Sequence, residues 1–100
     1  MPRVSENDVA IAVVKYLAQK PGHTATIYEI KKALPNYLKL SAADREQSET
    51  RPNEELWEQQ VRNITSHRKS PGNFIYEGRL ESQPRRLTLT PAGQVYAAKL

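Results

Sequence analysis

The sequence predicts a small α+β domain, and two stretches of it support that class. Residues 53–69 are predicted to form a long helix, because Trp57, Val61 and Ile64 recur at the spacing of one helical face. Residues 74–89 are predicted to form a β-hairpin, since β-prone runs at 74–77 and 87–89 enclose a basic segment that contains a proline. The chain shows no internal repeat or low-complexity tract, which favours one domain with a single core.

The first helix is predicted to begin after Ser5, because Ser5 and Asp8 have the spacing of a capping-box variant. It runs to about Gln19, and the pair Pro21 and Gly22 ends it. Its buried stripe consists of Ala10, Val13, Val14 and Leu17.

A short strand is predicted at residues 23–26, and a second helix begins at its end. Thr26 and Glu29 have capping-box spacing, and Pro35 ends this helix. Its apolar side consists of Ile27, Ile30, Ala33 and Leu34.

The segment between the second helix and the long helix is polar. Ser41 and Asp44 repeat the capping-box spacing, which predicts one or two further helical turns. Residues 45–52 contain no apolar side chain that could anchor them, so we expect an exposed and mobile loop.

The end of the chain returns to the core. Leu87 and Leu89 alternate with a threonine, as in a half-buried strand. Thr90 and Pro91 predict the N-cap and first residue of a last helix, which extends to about Lys99. The side chains expected to pack this helix on the core are Val95, Tyr96 and Leu100.

The side of the long helix opposite its apolar face carries side chains that donate and accept hydrogen bonds. These are Gln59, Arg62, Asn63, Ser66 and Lys69. One apolar side and one such polar side suit a helix that lies in a DNA groove. Every amphipathic surface helix has a polar face, however, and Glu54, Glu55 and Glu58 would repel phosphates, so contact with solvent alone is the alternative.

The positive charge of the chain is concentrated in one region. Residues 62–86 contain six basic and two acidic residues, whereas the rest of the chain contains nine of each. The formal charge of +4 therefore lies on the end of the long helix and on the hairpin, which carries Arg79, Arg85 and Arg86. A localised basic face is typical of a phosphate-binding surface, and a solvated basic surface is the alternative.

No pattern of catalytic residues is present, so we expect no enzymatic activity. His23 and His67 lack partners with zinc-ligand spacing, and no glycine-rich phosphate loop or nucleophile elbow occurs. The chain has no cysteine, which fits a cytoplasmic protein. No signal peptide or apolar run of membrane-spanning length is visible, so no membrane association is expected.

Trp57 allows two interpretations. It shares a helical face with Val61 and Ile64, which predicts a buried core residue. The alternative is an aromatic cage for a modified base, which needs Trp57 exposed together with Phe74 or Tyr76.

The order of the predicted elements and two motifs resemble a winged-helix DNA-binding domain. The segment Leu89-Thr90-Pro91-Ala92-Gly93 is similar to the L-T-x-x-G signature that closes the wing in many members. Residues 25–35 resemble their short strand and second helix. More narrowly, residues 40–45, the polar loop, residues 57–64 and the closing wing resemble the N-terminal domain of Mrr-type restriction proteins, from which the longer segment 66–73 departs.

This resemblance implies a winged helix-turn-helix fold over residues 1–100, with a three-helix core, a β-hairpin wing and a C-terminal helix. It implies that double-stranded DNA is bound through residues 53–69 and the wing at 74–89, in a regulator or a restriction-type system. No cofactor is implied, and a homodimer or a fused or associated nuclease domain would fit. The residues expected to contact DNA are Gln59, Arg62, Asn63, Ser66, Lys69, Arg79, Arg85 and Arg86. The alternative is a protein-interaction or dimerisation module without DNA binding.

Overall fold

Four helices and a three-stranded antiparallel sheet form the part of the chain that the computed structural model describes, residues 3–49 and 51–100. In chain order the elements are α1 (Glu6–Gln19), β1 (Thr24–Thr26), α2 (Ile27–Ala33), α3 (Leu56–Ser66), β2 (Leu80–Gln83), β3 (Arg86–Leu89) and α4 (Pro91–Ala98). The predicted α+β class is confirmed. Within these residues, no helix has the length and apolar character needed to cross a bilayer.

Three of the helix starts predicted from local sequence are confirmed. The Ser5 hydroxyl accepts a hydrogen bond from the Asp8 N–H at 3.0 Å, and the Asp8 carboxylate accepts one from the Ser5 N–H at 2.9 Å. Thr26 and Glu29 form the same reciprocal pair at the start of α2. Thr90 caps α4 by accepting from the Gly93 N–H, with Pro91 as the first helical residue.

The strand order in the sheet is β1-β3-β2, with β3 in the centre. Thr24 pairs with Thr88 on one side of β3, and Leu80 pairs with Leu89 on the other. Gln83 pairs with Arg86, so the hairpin turn is the two residues Pro84 and Arg85. Arg85 has a φ of +59°, in the left-handed region that residues other than glycine rarely adopt.

The core lies where α1, α3 and the sheet meet. Trp57, Val61 and Ile64 of α3 are buried, as are Leu87 and Leu89 of β3, which confirms their predicted positions. From α1, the predicted stripe of Ala10, Val13, Val14 and Leu17 is buried as well.

The predicted strand at 74–77 is wrong, because these residues form turns and the hairpin is limited to residues 80–89. The Asn73 side chain accounts for the difference. Its carbonyl oxygen accepts from the N–H groups of Ile75 and Tyr76, and its NH₂ group donates to the Ile64 carbonyl at 2.9 Å. Phe74 is buried by this turn, so its β propensity is overridden by local hydrogen bonds.

The long helix is shorter than the predicted 53–69, since α3 spans Leu56–Ser66. Asn53 has a φ of +64°, which a helix cannot contain. The N-cap is Glu55, whose N–H donates to the Glu58 carboxylate at 3.0 Å, so Glu58 is the only one of the three predicted glutamates in the first helical turn. Lys69 lies in the turn that follows α3.

The polar segment before α3 is held more tightly than its composition predicts. Ser41 and Asp44 begin a turn at residues 42–45, and no helix forms there. Ser48 is buried, so the expectation of an exposed loop at 45–52 is wrong at this residue. Its N–H donates to the Glu54 carbonyl at 2.7 Å. Thr50 lies outside the described residues, and the predicted mobility stays a prediction.

The last helix contacts the core through fewer residues than predicted. Tyr96 packs edge-to-face on Phe74, with ring centroids 5.5 Å apart. Val95 and Leu100 were expected in the core and are instead 59% and 52% exposed. The helix is held close to the sheet at Gly93, where a Cβ atom would lie 2.1 Å from the Arg79 carbonyl oxygen.

Replacing Gly93 with alanine is expected to lower the free energy of unfolding by about 1–3 kcal/mol, because the added methyl group has no space against backbone. Urea denaturation measures this change. Gln94→Ala, one residue away at an exposed position, is the control and should be close to neutral. Equal stability of the two variants would contradict the close approach.

The stability of the domain is expected to fall at acidic pH through Asp44. Burial alone would raise the pKa of this carboxyl, but hydrogen bonds from the Ser41 N–H, the Val4 N–H and the Ser41 hydroxyl outweigh it and lower the pKa. Asp44 therefore contributes stability above its unfolded pKa of about 3.9, and that contribution is lost as pH falls through the lower folded pKa. Denaturation at a series of pH values measures this effect. The free energy of unfolding of Asp44→Asn should fall less steeply at acidic pH than that of the unmodified domain, and an equally steep fall would refute this role.

Candidate nucleic-acid interface

A cleft of about 990 Å³ lies between α3 and the β2–β3 hairpin. Its apolar lining includes Ile27, Val61, Ile75 and Leu80. Its two acidic residues are Glu54 and Glu81. Its six basic residues are Lys31, Arg51, Arg62, Arg68, Arg85 and Arg86. The cleft therefore combines an apolar surface with a mainly basic set of charged side chains, which favours a polyanionic partner.

Two of the six basic residues are held by a carboxylate inside the domain. Glu54 is 8% exposed and accepts a hydrogen bond from the Arg62 guanidinium at 2.9 Å. The Lys31 ammonium lies 3.7 Å from Glu54 and 3.7 Å from Glu58. These pairs connect α2, α3 and the preceding loop, so the charges of Lys31 and Arg62 are largely balanced within the protein.

The other four arginines of the cleft form no salt bridge with a described carboxylate. Arg68 donates to the Thr65 carbonyl at 3.0 Å, and Arg86 donates to the Thr24 hydroxyl at 3.2 Å. Arg51, Arg68 and Arg85 are exposed. A phosphate group entering the cleft would therefore meet cations whose charge is not neutralised by the domain.

The cleft contains four of the eight residues predicted to contact DNA, namely Arg62, Ser66, Arg85 and Arg86. Gln59, Asn63 and Lys69 do not line it. The Gln59 side-chain NH₂ donates to the Ser48 hydroxyl, and that of Asn63 donates to the Gln60 side-chain carbonyl at 3.2 Å. The polar face of α3 is thus partly used to hold the domain together.

Arg79 also lies outside the cleft. Its guanidinium carbon is 4.2 Å from the centre of the Tyr96 ring and 5.0 Å from that of Phe74. This cation–π arrangement links the start of β2 to α4. The sequence prediction counted Arg79 with the hairpin arginines because it is close to them in sequence, but it faces a different part of the fold.

Three basic residues of the cleft were not predicted from the sequence, namely Lys31, Arg51 and Arg68. Arg68 belongs to the basic stretch 62–86, so that charge count was the available signal. Lys31 and Arg51 come from segments where acidic and basic residues balance, and the tertiary fold brings them to the cleft.

The two histidines, Trp57 and Phe74 make contacts within the domain. His67 Nδ1 contacts the Glu6 carboxylate at 2.5 Å, and His23 Nδ1 lies 3.0 Å from the Leu17 carbonyl oxygen. Trp57 is buried, and its indole N–H donates to Glu55 at 2.8 Å. Phe74 is buried too, so the alternative of an exposed aromatic cage around Trp57 is not realised.

No protein-family model, curated protein or solved structure matches this chain. The geometry and charge of the cleft therefore carry the argument about function.

Replacing Glu54 with glutamine is expected to lower the free energy of unfolding by about 1–3 kcal/mol, because Arg62 and Lys31 lose a nearly buried counterion. Thermal or urea denaturation at low and high salt measures the loss. The control is Glu46→Gln, which removes the same charge from an exposed carboxylate that has no salt bridge among the described residues. If the two variants lose equal stability, the Glu54 network is not a structural element.

Proposed function

We propose that this chain is a winged-helix domain that binds double-stranded DNA in the cleft between α3 and the β2–β3 hairpin. The observation that carries the proposal is the set of four cleft arginines without a carboxylate partner among the described residues: Arg51, Arg68, Arg85 and Arg86. They come from three separate segments, the loop before α3, the turn after α3 and the hairpin. A guanidinium group matches the geometry of a phosphate and keeps its charge at every physiological pH.

The arrangement of the elements supports the winged-helix part of the proposal. The hairpin follows α3 and pairs with the short strand β1 through β3, in the order β1-β3-β2. In this assignment α3 is the helix that approaches DNA and the hairpin is the wing. Gly93, the last residue of the L-T-x-x-G motif, occupies the position where α4 leaves the sheet with no space for a side chain.

The proposal assigns DNA attachment, and no catalysis, to this domain. The protein would act as a regulator or as the DNA-recognition module of a restriction-type system. In the second case, a fused or associated nuclease domain would cleave the DNA, and this domain would hold that nuclease on the duplex.

A protein-interaction module is the second candidate, and the exposed side of α4 favours it. Val95 and Leu100 are more than half exposed, and α4 contains no charged residue. Single exposed apolar residues are common on monomeric proteins, however, whereas a mainly basic cleft is a more specific feature. We therefore place DNA binding first.

Removing two cleft arginines is expected to weaken binding to DNA. The variant Arg68→Ala with Arg85→Asn removes two charges, and asparagine suits the positive φ of residue 85. Fluorescence anisotropy with a labelled duplex should show lower affinity at every salt concentration. The slope of log K against log salt should become shallower by about 0.9 for each phosphate that the variant no longer neutralises.

The matched control is Lys15→Ala with Lys99→Ala, which removes the same charge from exposed positions outside the cleft. Equal loss of affinity in both double variants would show that only net charge matters and would contradict binding in the cleft. If the unmodified domain shows no salt-sensitive DNA binding at low ionic strength but self-associates in sedimentation, the second candidate replaces the first.

A further inference from the structure

We infer that the cleft binds the sugar-phosphate backbone of double-stranded DNA and does not read base sequence, an inference that rests on the proposed function. The inference depends on which polar side chains of the domain remain available to a base. Base edges are read most specifically by an amide or guanidinium group that presents two hydrogen-bonding positions at a fixed place.

The side chains of α3 that could do this are engaged inside the domain. Gln59 donates to the Ser48 hydroxyl, and Arg62 donates to Glu54 at 2.9 Å. Asn63 donates to Gln60 at 3.2 Å. Each keeps further donors or acceptors, but the existing hydrogen bond holds its terminal group in place, so a bidentate base contact would need either that orientation or the loss of the bond.

The loop that engages Gln59 and Arg62 is itself fixed by backbone hydrogen bonds. The Leu56 N–H donates to the Glu46 carbonyl at 2.9 Å, and the Trp57 N–H donates to the Asp44 carbonyl at 3.0 Å. Ser48 and Glu54 are both buried. Moving this loop away from α3 would therefore break several interactions at once, and the first turns of the helix stay covered.

The arginines that remain available lie on turns and not on the outer face of a helix. Arg68 follows the end of α3, Arg85 lies in the hairpin turn, and Arg51 lies in the loop before α3. No hydrogen bond from the side chains of Arg51 or Arg85 to another described residue orients them. A phosphate presents oxygens in several directions, so a guanidinium can bind it from many orientations, whereas a bidentate contact to guanine needs a side chain held in one.

The lining of the cleft also favours duplex over single-stranded DNA. Among the described residues that line it, none is aromatic. Proteins that bind single strands stack exposed bases on aromatic rings, and the paired bases of a duplex do not need such a platform. The partner that fits best is therefore a regular double helix of any sequence.

Selection from a duplex pool with a randomised central segment tests this inference. The domain is incubated with the pool, and the bound fraction is recovered and sequenced over several rounds. We expect no enriched motif, and individual duplexes should differ in Kd by less than about threefold, because a sequence-specific protein separates its site from other DNA by about 10³–10⁷-fold. A single strand of equal length should bind more weakly than every duplex.

Two variants refine the test. Asn63→Ala should leave the Kd values unchanged, whereas Arg51→Ala combined with Arg85→Asn should raise all of them by the same factor. An enriched motif would overturn the inference while leaving the proposed function intact, and its loss in Asn63→Ala would identify the residue that reads it. Tighter binding to the single strand would contradict the proposed double-stranded partner. Absence of salt-sensitive binding to any duplex would overturn the proposed function itself.

Discussion

The pairing of β3 on both of its edges is the interaction on which the rest of the structure depends. β1 and β2 hydrogen-bond to opposite sides of it, while Leu87 and Leu89 face the core. Because α2 follows β1 directly and α4 follows β3, the strand pairing also places these two helices. The Ile27 N–H donates to the Arg85 carbonyl at 2.9 Å, which ties the start of α2 to the hairpin turn. The basic cleft therefore depends on β3, a strand of four residues that holds β1 with α2, β2 and α4 together.

The segment before α3 shows how a short chain can order a loop that has no apolar side chains of its own. Asp44, Ser48 and Glu54 are polar and buried, and each is hydrogen-bonded within the domain. Such groups stabilise a structure only while their partners are present, since a buried polar group without a partner carries a large desolvation cost. The loop is therefore connected to the helix that it covers, and the two are expected to rearrange together.

The sequence predicted those parts of the fold that are encoded by neighbouring residues. Ser5, Thr26 and Thr90 cap helices through residues three positions away, so their roles could be recognised locally. The strand expected at 74–77 was wrong because the Asn73 side chain forms a turn with the N–H groups of Ile75 and Tyr76 and bonds to Ile64 of α3. The early start expected for α3 was wrong because Asn53 adopts a positive φ and Glu55 is the N-cap. Among the cleft residues, Arg85 and Arg86 of the hairpin were predicted from the sequence, whereas Lys31 and Arg51 are brought to the cleft only by tertiary packing.

Arg85 illustrates a conflict between stability and charge at one residue. A side chain in the left-handed region costs about 1–2 kcal/mol, a penalty that glycine avoids. The hairpin turn thus holds a long cationic side chain at a position whose backbone favours the smallest residue. A glycine there would relax the turn but remove a guanidinium from the cleft, so the most stable hairpin and the most basic cleft require different residues at this one position.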